Sequence, residues 1–365
     1  MLHRPDLGFH DEGQDLSSAE FYAEAIGRPG EARVLPPVAF RSLQFSLMED
    51  ETVWTRDWVS IGTQDEIPHD GDLLPFTVGQ HGIHVQRVGN QFKARFNKAQ
   101  HGGCRAIPLQ CQSGKKTKCS FTSCGYSRDR AAIPARDLGN DTPEMQQYLG
   151  LRPERLLTAH AGQLGPLIFV NLDVEPESSA TAFADLNEAG GFFRDGSRLV
   201  SSGWLEFPAN WKLLGQHLAA GAPMLEDEGR VWTLARTSIE EQPALVAWLF
   251  PNLVLMRAGD ETCAIVLQQT ALGQTLCRYF VYSPSRENGA SAFWTKEIEH
   301  RAAKACADHH GTVRWGTNSR PETIGSALPL QRDPQGLWMQ RMLARRAARA
   351  PRQFFSQPLF QHARG

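Results

Sequence analysis

At 365 residues, 41% hydrophobic and 21% charged, the chain is long enough for two domains with substantial cores. Its formal net charge of −2 gives no electrostatic reason to expect nucleic acid or an anionic membrane as a partner. No apolar run is long enough to span a bilayer and the opening MLHRPDLGFHDEG lacks the apolar core of a secretion signal, so the cytoplasm is the expected location. In that compartment the seven cysteines are expected as thiols or metal ligands rather than disulfides.

Residues 1 to 40 read as a polar leader and one amphipathic helix, SSAEFYAEAIG, with Ser17 or Ser18 as N-cap and Pro36-Pro37 as its end. A second short helix is expected from Ser42 to Thr55, its acidic tip Glu49-Asp50-Glu51 facing solvent. From Trp58 the period changes to two. WVSIGTQ, LLPFTVG, GIHVQRV and QFKARFN predict successive strands, with Ile83 and Val85 against Phe92, Ala94 and Phe96 on one face. Gly89-Asn90 is a hairpin turn between the last two.

A cysteine-rich stretch follows, carrying Cys104, Cys111, Cys119 and Cys124 on loops. Lys115, Lys116 and Lys118 make its second loop basic, either a solvated tip or a docking patch for an acidic partner. Residues 127 to 160 are helical and connecting, PLIFVNLDVEP is a strand and FADLNEAGGFF a short helix. SSGWLEFPANWKLLGQHLAAGAPM runs from a strand into a helix opening near Asn210. VAWLFPNLVLMRAG, CAIVLQQTALG and TLCRYFVYSP predict three antiparallel strands, where Trp248, Val254 and Met256 line a pocket or fill a core. WTKEIEHRAAKACADHH is a helix with His309-His310 as a polar end. GLWMQRMLARRAARA is a basic helix whose Arg341, Arg345, Arg346 and Arg349 form a solvated face or a subunit contact.

The run VWTRDWVSIGTQDEIPHDGDLLPFTVGQHGIHVQRVGNQFKARFN resembles the opening of the Rieske domain of aromatic-ring-hydroxylating oxygenase α subunits, a family of Rieske-type non-haem iron enzymes. GPLIFVNLD, NWKLLGQHLAAG and WLFPNLVLM resemble successive blocks of their catalytic domain, in the same order, so that the similarity runs from Phe45 to Tyr282. The resemblance implies an α+β fold: a small antiparallel Rieske-like β domain and a larger helix-covered antiparallel sheet of the helix-grip, START-like kind. It places an N-terminal helical segment at 1–42, packed on the C-terminal domain, the Rieske-like domain at 43–155 and the catalytic-type domain at 156–365.

The resemblance also implies where metal ligands should stand. A Rieske [2Fe–2S] centre takes two thiolates and two imidazoles, as Cys-x-His and, about seventeen residues on, Cys-x-x-His. Here the first pair reads Ala99-Gln100-His101. If Gly125-Tyr126 occupies the place of the usual Gly-Trp, the second pair is Phe121 and Cys124; if Cys119 is the thiolate, its partner is Thr122. The mononuclear iron takes two His and one carboxylate. Counting from Asn210-Trp211-Lys212, the acidic residue linking the two metal centres falls on Ala220, the first His position on Pro223 and the second on Glu228 or a neighbour. His217 stands where the family usually has Asn, and Asp308 is left as the third ligand by elimination.

Three functions fit this pattern. One is a pseudoenzyme without cofactors that joins an active Rieske oxygenase α-type subunit in a trimeric or mixed ring, or docks a reductase or ferredoxin. A second is an active monooxygenase, dioxygenase or demethylase with a rebuilt site. In it His101, Cys104, Cys119 and Cys124, with Cys111 in reserve, hold zinc or a non-standard iron–sulfur cluster rather than standing as free thiols. Near its second iron site the chain offers only His217, Glu226, Asp227 and Glu228, and Glu226 to Glu228 also read as an exposed acidic turn. The third is a small-molecule binding protein that keeps the pocket without the iron.

Overall fold

The structure is a computed structural model and describes residues 8–96, 132–138, 157–225, 229–285, 290–314 and 333–349. Its first long element is helix α1 (Leu43–Glu49), capped by Ser42, whose hydroxyl accepts from the Phe45 amide at 3.1 Å. A wider π turn continues it through Asp50–Trp54. The acidic tip does not face solvent: Glu49 is fully buried and Asp50 nearly so. Upstream, only Ala19–Tyr22 of the expected first helix is α-helical, with Ser18 accepting from the Phe21 amide.

Strands β1 (Val59–Thr63), β2 (Leu73–Val78), β3 (His81–Val88), β4 (Gln91–Phe96), β5 (Thr158–Leu164) and β6 (Leu167–Asn171) form one antiparallel sheet in the order β1-β6-β5-β4-β3-β2. Val88 faces Gln91, which puts Gly89-Asn90 in a two-residue turn where Gly89 takes φ 58°. Ile83 pairs with Phe96 and Val85 with Ala94, and all four are buried, as the period-two pattern predicts. The pairing runs past residue 155. Strands β5 and β6 close this smaller sheet, because β6 pairs with β1 across Val59–Val170.

The larger sheet contains β7 (Arg198–Phe207), β8 (Ala222–Pro223), β9 (Trp232–Ile239), β10 (Gln242–Leu249), β11 (Leu253–Ala258), β12 (Glu261–Ala271) and β13 (Gln274–Ser283), in the order β8-β9-β10-β11-β12-β13-β7. The run expected as one strand from Val246 to Gly259 is two, turning at Phe250-Pro251, and β9 is an additional strand. Helices α2 (Trp211–Leu218), α3 (Ala290–Arg314) and α4 (Pro334–Ala347) complete the unit. Gly215 lets α2 lie against β10: a Cβ there would stand 2.4 Å from the Trp248 ring. Trp248 also packs on Trp338 of α4, with centroids 5.6 Å apart. Trp248, Val254 and Met256 are fully buried, so they are core. Among the described residues no helix is long and apolar enough to cross a membrane.

Asn252 joins the two sheets. Its Nδ2 donates to the carbonyls of Ser60 on β1 (2.8 Å) and Leu267 on β12 (3.2 Å), and its Oδ1 accepts from the Ser60 amide at 2.9 Å. Gln340 of α4 makes a comparable link to the start of the chain. Its Nε2 donates to the carbonyls of Ala25 (2.6 Å) and Arg33 (3.0 Å), while its Oε1 accepts from the Leu35 amide at 2.9 Å. The arginine stripe of α4 is not a solvated face throughout. Arg346 is buried and pairs with Asp57 at 2.7 Å, and Arg349 reaches the same carboxylate at 3.4 Å. Nor is His309 at a polar helix end: α3 continues to Arg314, and the ring is buried against Gly273.

Candidate functional site

Helix α2 carries the residues around which the site is built. Asn210 caps it, its Oδ1 accepting from the Lys212 amide at 3.1 Å and its Nδ2 donating to the Phe40 and Leu272 carbonyls. Trp211 packs edge-on against Trp54 (5.2 Å) and Phe250 (6.0 Å). Lys212 extends back to α1, where its Nζ donates to Glu49 Oε1 at 2.7 Å. Both side chains are essentially sealed from water, with Nζ about 5 Å from the Phe40, Phe45 and Trp211 rings. Burial pushes the Lys212 pKa down and the Glu49 pKa up, and each partner's charge opposes that shift in the other. The Asn-Trp-Lys block thus works as a joint between α1, α2 and the end of β12.

The far end of α2 meets α3. His217 Nε2 and Asp308 Oδ2 lie 2.6 Å apart, both partly exposed. From the adjacent position Gln216 Nε2 donates to Asp333 Oδ2 at 2.9 Å. Beyond the helix, the carbonyls of Leu218 and Ala220 accept from Arg301 Nη1 at 3.1 and 3.0 Å. Arg301 Nη2 donates to Thr237 Oγ1 at 2.9 Å and its Nε to Glu297 at 2.6 Å. The chain then enters β8, where Pro223 is exposed and pairs with Ala235.

These positions do not fit a mononuclear iron. Ala220 offers a methyl group, Pro223 a ring without a lone pair, and among the described residues no three of His, Cys, Asp and Glu converge on a common point. Of the family-derived positions the structure brings two together, His217 and Asp308. Glu226, Asp227 and Glu228 lie outside the described residues, as do Ala99, His101, Cys104, Cys111, Lys115, Lys116, Lys118, Cys119, Phe121, Thr122 and Cys124. Beside Pro223 a cleft of about 400 Å³ opens between β8, β9 and α4, lined by Leu225, Trp232, Gln335, Trp338 and Arg341.

Two participants, Arg301 and Glu49, are not marked as site residues by the sequence alone, Glu49 being expected at a solvated tip. Arg301 had a local signal: it stands four residues after Glu297 and seven before Asp308, so all three share one face of α3. Glu49 had none, because its partner is 163 residues away. A further acidic group sits by the seam of the two sheets. Asp50 contacts His81 Nε2 at 3.0 Å and accepts from the Gln80 amide at 2.8 Å. Burial pushes neighbouring Glu51 up to about 7, helped by the Asp50 charge and opposed by His81.

No protein-family model matches the chain. The oxygenase subunit of glycine betaine monooxygenase from Pseudomonas aeruginosa is 25% identical over 167 residues, which are 45% of this chain and 37% of that protein. The α subunit of biphenyl 2,3-dioxygenase from Rhodococcus jostii is 24% identical over 221 residues, 56% of this chain and 44% of that protein. The chain therefore matches less than half the length of either relative. Among solved structures, the quaternary ammonium Rieske monooxygenase CntA superposes with a TM-score of 0.60 at 16% identity, covering 90% of this chain and 98% of that one. A naphthalene 1,2-dioxygenase gives 0.58 at 11% identity, covering 92% and 97%.

Proposed function

We propose, from the premise that the chain has the fold of Rieske oxygenase α subunits and resembles them in sequence, that it is a non-catalytic member serving as a structural or regulatory partner of an active oxygenase subunit. One observation carries this reading. At two positions where the resemblance implies metal-centre residues, Ala220 is tied by its carbonyl to Arg301 and Pro223 lies exposed in a β pair, and neither has a side-chain donor for iron. The packing blocks are kept: Asn210, Trp211, Lys212 and Asn252 each join separate elements. Loss of donors with retention of joints favours a protein kept for its shape and interfaces. Its partner is then an α-type subunit, in a trimeric or mixed ring, with a reductase or ferredoxin as a further docking partner.

The test is co-expression with metal-bearing α-type subunits and recovery through a tag on this chain, with iron, acid-labile sulfide and turnover measured on each preparation. The expected result is a mixed complex, with no turnover by this chain alone. Iron and sulfide near two per chain in this chain alone, with substrate oxidation, would sink the proposal. A second reading, an active oxygenase with a rebuilt site, draws on the His217–Asp308 contact, which brings an imidazole and a carboxylate together. Zinc or a non-standard cluster on His101, Cys104, Cys119 and Cys124 belongs to that second reading.

A further inference from the structure

We infer that Arg301 is a cationic clasp at the end of α2 that holds the site together without a metal ion: its guanidinium binds the loop leaving α2 to β9 and α3. This rests on the reading of Ala220 and Pro223 as altered ligand positions.

Physical chemistry calls for a cation at this point. The last carbonyls of a helix have no intrahelical partner and carry the negative end of the helix dipole. The Leu218 carbonyl is in that position and the Ala220 carbonyl lies just beyond the Ala219 cap, in the loop from which the implied ligands would come. Arg301 answers them with one nitrogen and Thr237 of β9 with another. Its third nitrogen faces Glu297 one turn back on α3, which balances the buried charge locally. The residue is only 8% exposed, so these bonds form away from competing water. An ammonium group could not serve equally, because the acceptors lie around a planar fork.

The second tie is two turns further along α3. Asp308, left as a candidate third ligand only by elimination, is occupied by His217 of α2 at 2.6 Å. Arg301 and Asp308 thus make two contacts from one face of α3 to α2 and its exit, and neither contact needs an ion. A divalent cation approaching this face would find the Ala220 carbonyl already bound to Arg301 and no side-chain donor there or at Pro223.

The experiment is thermal unfolding of the full chain as wild type, Arg301→Gln, Arg301→Lys and Asp308→Asn. Each protein is scanned after chelation and again with ferrous ion under anaerobic conditions. Wild type is expected to give the same midpoint in both scans. Arg301→Gln should lower it by roughly 5–10 °C, and Arg301→Lys should recover less than half of that loss. The inference is overturned if Arg301→Gln melts within about 1 °C of wild type. It is equally overturned if ferrous ion raises the wild-type midpoint and Asp308→Asn abolishes the rise. Should Arg301→Gln fail to fold, the ferrous-ion comparison of wild type with Asp308→Asn decides. Failure to recover a partner oxygenase subunit would remove the partner reading and leave these midpoints where they are, so the two can fail separately.

Discussion

Replacing Lys212 with alanine removes the only charge within hydrogen-bonding reach of Glu49 among the described residues, in a site sealed by Phe40, Phe45 and Trp211. With Lys212 gone, the neighbouring Trp211 side chain, a neutral group, is left to support the carboxylate in place of a counter-charge. Breaking a buried ion pair from one side typically destabilises by about 3–5 kcal/mol, because the remaining charge keeps its desolvation penalty without its counter-charge. The Lys212 methylenes pack as well, which places the expectation in the upper half of that range. Glu49 can relieve the strain by taking up a proton, and burial already favours its neutral form. The loss in Lys212→Ala should therefore be smaller at pH 5 than at pH 8. The double variant Glu49→Leu/Lys212→Met, which removes both charges and keeps the volume, should recover most of it. Urea unfolding of the three proteins at both pH values measures this. A loss under about 1 kcal/mol in Lys212→Ala, or a double variant no better than the single, would refute the argument.

Asn252→Ala should weaken the seam between the sheets by about 2–3 kcal/mol, and amide exchange should rise first at Ser60 on β1, whose N–H loses its side-chain acceptor. Unchanged protection of the Ser60 amide would show that the seam is held elsewhere. Glu51 gives a pH dependence of definite sign. Its carboxyl titrates near 7 in the folded chain against an ordinary 4.5, so its contribution is fully present below pH 4.5 and is lost as the pH rises through 7. A difference of that size corresponds to about 3 kcal/mol, reduced to about 1–2 kcal/mol by the group's partial exposure. Glu51→Gln should accordingly be more stable than wild type at pH 8 and equal to it at pH 4. Parallel stability curves for the two proteins across that range would count against the assignment.

The local features were the legible ones. Ser42 and Asn210 cap the helices that follow them because a short side-chain acceptor before an apolar run is a self-contained signal. The Gly89-Asn90 turn and the face holding Ile83, Val85, Ala94 and Phe96 come from period-two alternation in the same way. What escaped was set by distant partners. The Glu49-Asp50-Glu51 run has the composition of a solvated tip, and only Lys212 and His81 make it an interior one. Arg346 and Arg349 look like part of a basic stripe until Asp57 is placed beneath them. Strands β5 and β6 follow a long intervening stretch, so nothing local assigns them to the first sheet. At the site, the resemblance pointed to Ala220 and Pro223, with Asp308 added by elimination, but Arg301 belongs to this chain's own chemistry.

Gln340 has a consequence for how such a chain is completed during synthesis. Its amide holds the backbone at Ala25, Arg33 and Leu35, contacts separated by 315, 307 and 305 residues. A nascent polypeptide emerging from its N-terminal end must wait until α4 has been made before this clasp can close. Closing so long a loop also delays the step entropically, since the ordering of the intervening chain precedes its reward. The polar groups that Gln340 finally satisfies are therefore exposed for most of translation. A vectorially synthesised copy should acquire protease resistance around residues 25–35 only after residue 347 has left the ribosome.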